Sequence, residues 1–258
     1  MPSLQNKVAL VTGSSSGIGR GIAEHFGALG ARVVVHGRSE AETRAVRDRI
    51  RGAGGQAVST TADLADVAAC RGVVRFAIEQ YGGVDVLVNN AASLARGYLE
   101  DAPVELWDAT MAVNLRAPFL CLQESVKSMK TRGGGSIVNI GSVNAYIGEP
   151  KLGPYSVSKG GLMTLTRNAA STLNRYRIRV NQLNVGWTLT EGEERVKRAE
   201  GKGPEWLEEA IATRPFGRLL SPHDIALAAA YFASDDSALI TGAVTDLEQY
   251  PVGAPPNW

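Results

Sequence analysis

Val8-Ala9-Leu10-Val11-Thr12-Gly13-Ser14-Ser15-Ser16-Gly17-Ile18-Gly19 decides the fold. A short apolar run gives way to small hydroxyl residues and glycines, and Ile18 to Leu29 then carries the apolar spacing of a helix. A turn from a buried strand into a helix brings main-chain N–H groups to a helix start, where phosphate binds well. Gly13 allows the tight turn, Gly17 lets the backbone approach a pyrophosphate, and Gly19 lets the helix pack closely. The spacing is Gly-x-x-x-Gly-x-Gly, not Gly-x-Gly-x-x-Gly. A plain βα turn uses glycine for the same reasons, but three glycines among hydroxyl residues favour a dinucleotide site. Gly13, Ser15, Ser16, Gly17, Ile18 and Gly19 are its expected contacts.

Outward from this turn the same alternation repeats. Arg32-Val33-Val34-Val35, Ala57 to Thr60, Val84 to Val88, Ser136 to Ile140, Ile178 to Leu183 and Ala243 to Asp246 read as strands. Helical patterns lie near 41–51, 64–81, 103–131, 154–176 and 222–233. Near-continuous apolar strands separated by helices predict an α/β chain: a doubly wound, Rossmann-like parallel sheet of about seven strands, helices on both faces, in a single domain over 1–258. Thr190 to Arg218 breaks the rhythm. It is charged and weakly patterned, and its position late in an α/β chain predicts a substrate lid at 190–218. The tail at 248–258 is expected to be non-helical, and its aromatic residues to dock on another surface, a neighbouring subunit being one candidate.

Composition excludes several classes. The net charge is +1, which gives no bulk case for nucleic acid or an anionic membrane. No apolar run approaches the ~20 residues that span a bilayer, and the first residues lack a signal-peptide pattern. A cytoplasmic protein is expected. Cys70 and Cys121 fall in predicted helices and read as buried thiols. His25, His36 and His223 are far apart in sequence, so no metal is expected.

The second strand runs into His36-Gly37-Arg38. An acidic residue here would accept hydrogen bonds from a ribose 2′-hydroxyl, whereas Arg38 suits a 2′-phosphate. NADP(H) is therefore favoured over NAD(H), a solvated strand-end arginine being the plain alternative. Further on, Tyr155 and Lys159 stand one helical turn apart on one face. An ammonium beside a phenol favours the phenolate and lowers its pKa, bringing it toward acid/base work at neutral pH. Taken alone the pair is weak; the glycine turn and Ser142 upstream strengthen it.

In order along the chain stand Thr12-Gly13-x-x-x-Gly17-Ile18-Gly19, Asp63-Leu64, Asn89-Asn90-Ala91-Ala92, Asn114, Gly141-Ser142, Tyr155-x-x-x-Lys159 and Asn184-Val185-Gly186-x-x-x-Thr190. With this ordered set the chain resembles the short-chain dehydrogenase/reductase family over essentially its whole length, 3-oxoacyl reductases and sugar or polyol dehydrogenases being the nearest analogies. The resemblance implies a catalytic set of Asn114, Ser142, Tyr155 and Lys159. Tyr155 would be the acid/base, Lys159 would bind the nicotinamide ribose, Ser142 would bond the reacting oxygen, and Asn114 would hold a water linked to Lys159. It further implies cofactor contacts from Asp63, Leu64, Asn90, Ala91, Tyr155, Lys159, Gly186, Thr188 and Thr190. Two departures are Ala92 where the family usually has glycine, and Val185 where it usually has proline; they touch the nicotinamide pocket's shape.

The substrate is expected to be a small carbonyl or alcohol, met by Ser142, Asn144, Tyr155 and Trp187, with Tyr146, Glu149 and Trp206 nearby. The leading expectation is an NADP(H)-dependent oxidoreductase interconverting a ketone and a secondary alcohol. The alternatives are an NAD(H)-dependent sugar or polyol dehydrogenase and a non-catalytic dinucleotide sensor. An epimerase or dehydratase relative would need a longer C-terminal substrate domain. By resemblance, a homo-oligomer, specifically a tetramer, is expected.

Overall fold

The computed structural model describes residues 2–146 and 148–252. Its strands are β1 Val8–Val11, β2 Arg32–Gly37, β3 Gln56–Thr61, β4 Val86–Asn89, β5 Gly135–Ser142, β6 Ile178–Val185 and β7 Val244–Leu247. All pair in parallel in one sheet, in the order β3-β2-β1-β4-β5-β6-β7. The helices are α1 Gly17–Ala28, α2 Glu40–Gly52, α3 Val67–Tyr81, α4 Val104–Met111, α5 Ala117–Thr131, α6 Gly153–Leu173, α7 Glu191–Ala199, α8 Trp206–Ala212 and α9 Pro222–Ala233. This is the doubly wound α/β arrangement expected from the alternation.

Side chains alternate across each strand, and both faces are covered. Ala9 and Val11 pack with Phe26 of α1, Ile50 of α2 and Ile225 of α9. Leu10 points the other way, to Val74 of α3, Cys121 of α5 and Leu173 of α6. With two dry faces, the strands read as continuous apolar runs. Strand order reverses beside β1, whose neighbours are β2 and β4. Connections leave in opposite directions there and open a crevice at the carboxyl ends, the usual ligand position in such sheets.

Several strands extend past their apolar runs. β2 continues through His36-Gly37, β4 through Asn89, β5 through Gly141-Ser142 and β6 through Asn184-Val185. These polar and small residues sit at the carboxyl ends, beside the crevice. The segment 190–218 is more ordered than its weak pattern predicts, containing α7 and α8. Thr190 caps α7, its Oγ1 accepting from Glu193 N at 3.1 Å. Acidic residues fill the first turn of α7 and Lys197 and Arg198 its last, the distribution that the helix dipole favours. α7 has no fully buried residue, so it leaves no strong apolar period.

The described part of the tail is non-helical. Tyr250 docks on the chain's own segment 190–218, its hydroxyl donating to Thr213 O at 2.7 Å. The remainder of the tail, including Trp258, lies outside the described residues.

Candidate active site

The glycine turn is built from inside. Gly13 has φ +63° and Gly17 φ +53°, conformations that glycine adopts without strain. A Cβ on Gly13 would stand 2.7 Å from Ala91 Cα, and one on Gly19 would overlap the Gly13 carbonyl. Asn90 holds the turn rather than facing outward, its Nδ2 donating to Thr12 O and Gly13 O, both at 2.9 Å. Buried His36 adds a second brace. Its Nδ1 accepts from Gly13 N at 3.2 Å, while its Nε2 is 3.2 Å from Ala62 O. That pairing makes Nε2 the protonated nitrogen. Burial pushes the imidazole down to about 4, so the ring is neutral at pH 7.

At the start of α1, Ser16 makes no side-chain cap and no acidic residue occupies the first turn. The α1 start therefore relies on no cap of its own; the Glu191 carboxylate from beyond β6 takes the Gly17 N–H, the place a bound anion would occupy. The positive φ of Gly13 and Gly17, the close glycine packing and a helix start without its own cap fit a dinucleotide pyrophosphate. Gly37 lies against Ser15 and Thr43, where a Cβ would be 2.7 Å from Ser15 Cβ. No carboxylate fits at that position without displacement. Arg38 follows with an exposed side chain. Asp63 accepts from Ala65 N at 2.9 Å, and Leu64 belongs to the core.

The second half of the site lies at the end of β5 and the start of α6. Ser142, Tyr155 and Lys159 are buried, at 5%, 7% and 2% exposure. Pro154 in the first turn of α6 sets its direction, and the one-turn spacing puts Tyr155 and Lys159 side by side. Lys159 Nζ donates to Ile140 O at 2.7 Å and lies 5.6 Å from the Tyr155 ring centroid. Burial lowers Lys159 to about 8. Burial also raises the Tyr155 phenol, and the Ser142 hydroxyl acts against that shift. The lowering expected from the adjacent ammonium is not found: burial sets the direction of the Tyr155 shift, and Ser142 is the group that acts against it.

Asn114 sits in a π-helical turn, Ala112–Arg116, between α4 and α5. Such turns recur at functional sites. Its Oδ1 accepts from Ser93 N at 2.7 Å, and its Nδ2 donates to Ser93 O at 3.0 Å and Ser158 Oγ at 3.1 Å. The side chain is spent on pinning the segment after β4 to α6. A water held by Asn114 would have to use its main chain.

The segment 186–218 leaves the end of β6. Thr188 is buried and bonds Gly186 O at 3.0 Å, and Thr190 lies beside Gly17. Trp187, half-buried, is the hub of the contacts that hold α7 and α8. Its Nε1 donates to Glu193 at 2.9 Å, Trp206 packs at 6.2 Å, and Lys197 and Arg214 lie over its ring. Glu191 pairs with Arg20 across the start of α1. The Arg20 and Gly17 N–H contacts hold its carboxyl below the usual range. Asn144 N donates to Ser142 Oγ at 3.2 Å, whereas Glu149 is exposed.

Comparison with known proteins agrees with this geometry. A family model described as enoyl-(acyl carrier protein) reductase matches residues 13–248. Dehydrogenase/reductase SDR family member 4 of Bos taurus is 38% identical, covering 93% of this chain and 85% of the relative. The chain belongs to the short-chain dehydrogenase/reductase family. L-rhamnose 1-dehydrogenase (NAD(P)(+)) of Azotobacter vinelandii is 34% identical, with 93% and 94% covered. A 3-oxoacyl (acyl-carrier-protein) reductase structure from Agrobacterium tumefaciens, with NADP bound, superposes at TM-score 0.86, with 31% identity and 95% and 94% covered.

As a short-chain dehydrogenase/reductase, the chain has supporting residues that its motifs did not single out: His36 beneath the turn, Ser93 and Ser158 around Asn114, and the Arg20–Glu191 pair. Only spatial contact connects them. Among the described residues no cluster of three or more His, Cys, Asp or Glu is placed to hold a metal, and no helix is long and apolar enough to cross a membrane. A separate cavity of about 550 Å³ lies at the strands' amino ends. Its Arg132 is paired with Asp85 and its Lys7 with Asp235.

Proposed function

We propose that this chain interconverts a ketone and a secondary alcohol with NADP(H), Tyr155 acting as acid and base. One observation carries the reading: the Tyr155 phenol, Ser142 hydroxyl and Lys159 ammonium are buried together at the carboxyl end of β5, the end of the sheet that also carries the glycine turn. The nicotinamide, when bound, supplies or accepts the hydride. The chain's residues manage the proton and the charge. Ser142 donates to the carbonyl oxygen as negative charge develops there, and Tyr155 gives that oxygen its proton. In the reverse direction the phenolate removes the alcohol proton. Lys159, one helical turn away, favours the phenolate by its charge, while Ser142 acts against the burial that raises the phenol. Asn114 keeps Ser158 and Ser93 fixed around that pair.

Arg38 and the absence of room for an acid at Gly37 support NADP(H) over NAD(H). The NADP bound to the Agrobacterium reductase supports the same choice. A sensor without turnover would have no use for a buried Tyr155–Lys159 pair. Exposed Trp107 on α4 and Phe119 on α5 support assembly into an oligomer, a tetramer by family resemblance.

Reduced-nicotinamide absorbance tests the reading across a panel of ketones and alcohols. Tyr155→Phe should lower kcat by roughly 10²–10⁴-fold while cofactor binding persists. Wild type and variant equally inert across a broad panel, with cofactor bound, would refute it. Arg38→Ala should weaken NADP(H) binding more than NAD(H) binding, and equal weakening would remove the 2′-phosphate assignment.

A further inference from the structure

Helix α7 is fastened at both ends. Glu191, in its first turn, pairs with Arg20 of α1, and Glu200, immediately after its last residue, pairs with Arg96. Arg96 belongs to the segment after β4, which Asn114 pins through Ser93. That segment runs beside the entry to α6: Gly97 N donates to Lys151 O at 2.9 Å, and Gly97 bridges Leu152 in parallel. Arg96 and Lys151 thus stand beside the entry to α6, which carries Tyr155, while α7 spans from the start of α1 to that same segment.

The charge placement on Glu200 opposes local helix physics. A carboxylate at a helix C-terminus faces the negative end of the dipole. Glu200 stands there nonetheless, contacted by Arg96 and by Lys197 Nζ at 3.3 Å. Lys151 also acts on it electrostatically, and these cations lower its pKa against desolvation, the largest single influence. Gly201 follows at φ +77° with open space around its Cβ position, so the carboxylate is attached at a turn that glycine suits. The Arg96 and Glu200 side chains are 28% and 27% exposed, so the cluster is reached by solvent. On the same segment as Arg96 lie exposed Leu94, Tyr98 and Leu99, with Leu99 beside Gly153 at the start of α6 and Lys151 over the Tyr98 ring.

We propose that Arg96, assisted by Lys151, receives an anionic oxygen group of the substrate, and that Glu200 occupies this place until substrate arrives. The substrate is then an oxo or hydroxy compound carrying a carboxylate or phosphate beyond a short apolar stretch. This rests on the ketone–alcohol reading of the same site. Arg suits either anion because its guanidinium makes paired, charge-assisted hydrogen bonds. Binding exchanges the Arg96–Glu200 pair for an Arg96–substrate pair and frees the C-terminal end of α7, which couples substrate entry to lid position.

The test is steady-state turnover with NADPH on matched pairs: a series of oxo acids against their methyl esters, and dihydroxyacetone phosphate against dihydroxyacetone. Anionic members should have the higher kcat/KM, carboxylate and phosphate arms identifying which anion is read. Arg96→Leu should lower the anion-to-neutral ratio about 10- to 100-fold, the range of a charged hydrogen bond. Glu200→Gln should raise that ratio. A latch with a purely structural role would move both members of each pair together. Preference for neutral members, or a ratio unchanged in both variants, overturns the proposal while leaving ketone reduction intact. No Tyr155-dependent turnover in either arm overturns the ketone–alcohol reading and this assignment with it.

Discussion

Replacing His36 with glutamine should remove about 2 kcal/mol of acid sensitivity from the fold. The magnitude follows from the ring's surroundings. His36 is 2% exposed, and burial holds it down to about 4, against ~6.5 for a free imidazole. At pH 7 the ring is neutral in both folded and unfolded chains. Between those two values the unfolded chain binds the extra proton, so stability falls as pH falls. At pH 5 the unfolded ring is almost wholly protonated and the folded ring mostly neutral, which costs about 2 kcal/mol relative to pH 7. By pH 4 the cost approaches about 3 kcal/mol. Glutamine retains an acceptor for Gly13 N and a donor for Ala62 O but does not titrate. Urea unfolding of wild type and His36→Gln at pH 7 and pH 5 isolates the difference. Other groups also titrate over this interval, including His25, which burial and His223 lower, but they are common to both proteins. The variant should lose about 2 kcal/mol less than wild type on acidification. Equal losses would mean that the ring is not held neutral, and the account of the brace beneath Gly13 would fail.

Lys159→Met should make the cofactor-free chain more stable while abolishing turnover. Burial lowers Lys159 to about 8, so its charged form costs stability below that pH, and the cost fades as pH rises toward ~10.4. Removing it should raise the melting temperature by roughly 5 °C at pH 7, and a lower melting temperature counts against this. Glu191→Gln should tighten dinucleotide binding about 3- to 10-fold in a fluorescence titration, because a carboxylate leaves the start of α1; weaker binding would indicate that Glu191 assists the cofactor. Gly37→Asp should weaken both NADPH and NADH binding rather than switch preference, since a Cβ there stands 2.7 Å from Ser15 Cβ; a gain in NADH affinity would show that the turn yields.

The order of strands and helices was legible because a sheet with two dry faces leaves near-continuous apolar runs. The same rule explains where reading stopped short. Val33-Val34-Val35 announces β2, but His36-Gly37 belongs to it, and Ser142 and Asn184 lie beyond the apolar parts of β5 and β6. These residues are polar or small because they brace the turn or join buried hydrogen-bond networks at the carboxyl ends, as His36 does with Gly13 and Asn184 with Gln182 and Asp246. Asn114 was legible through the family pattern, but its bonds to Ser93 and Ser158 join residues 21 and 44 positions away, which local spacing cannot reveal. Helix α7 escaped because its stability comes from a cap and surface charge, with no buried stripe to give a period. The Tyr155–Lys159 spacing was read correctly, yet the direction of the phenol's shift depends on burial, a property of the assembled core.

Polar strand ends need their own means of holding the sheet together. Asn89 Nδ2 donates to Asn139 Oδ1 at 2.8 Å, and Asn139 Nδ2 to Thr166 Oγ1 at 2.8 Å. Thr166 meets Gln182 Oε1 at 3.0 Å, Gln182 Nε2 donates to Asn184 Oδ1 at 2.7 Å, and Asn184 Nδ2 donates to Asp246 Oδ1 at 3.0 Å. The chain of bonds links β4, β5, α6, β6 and β7. Gly141 lies against it, and any Cβ there would overlap Asn184 and Gln182. Asp246 also accepts from Tyr146, in the segment following Ser142, at 3.1 Å. A satisfied buried network is rigid because each unmade bond is costly. The sheet therefore exchanges apolar packing for directional bonds at the end where Ser142 projects. That exchange keeps Ser142 in register with α6, and with it the distance between Ser142 and Tyr155 on which proton transfer would depend.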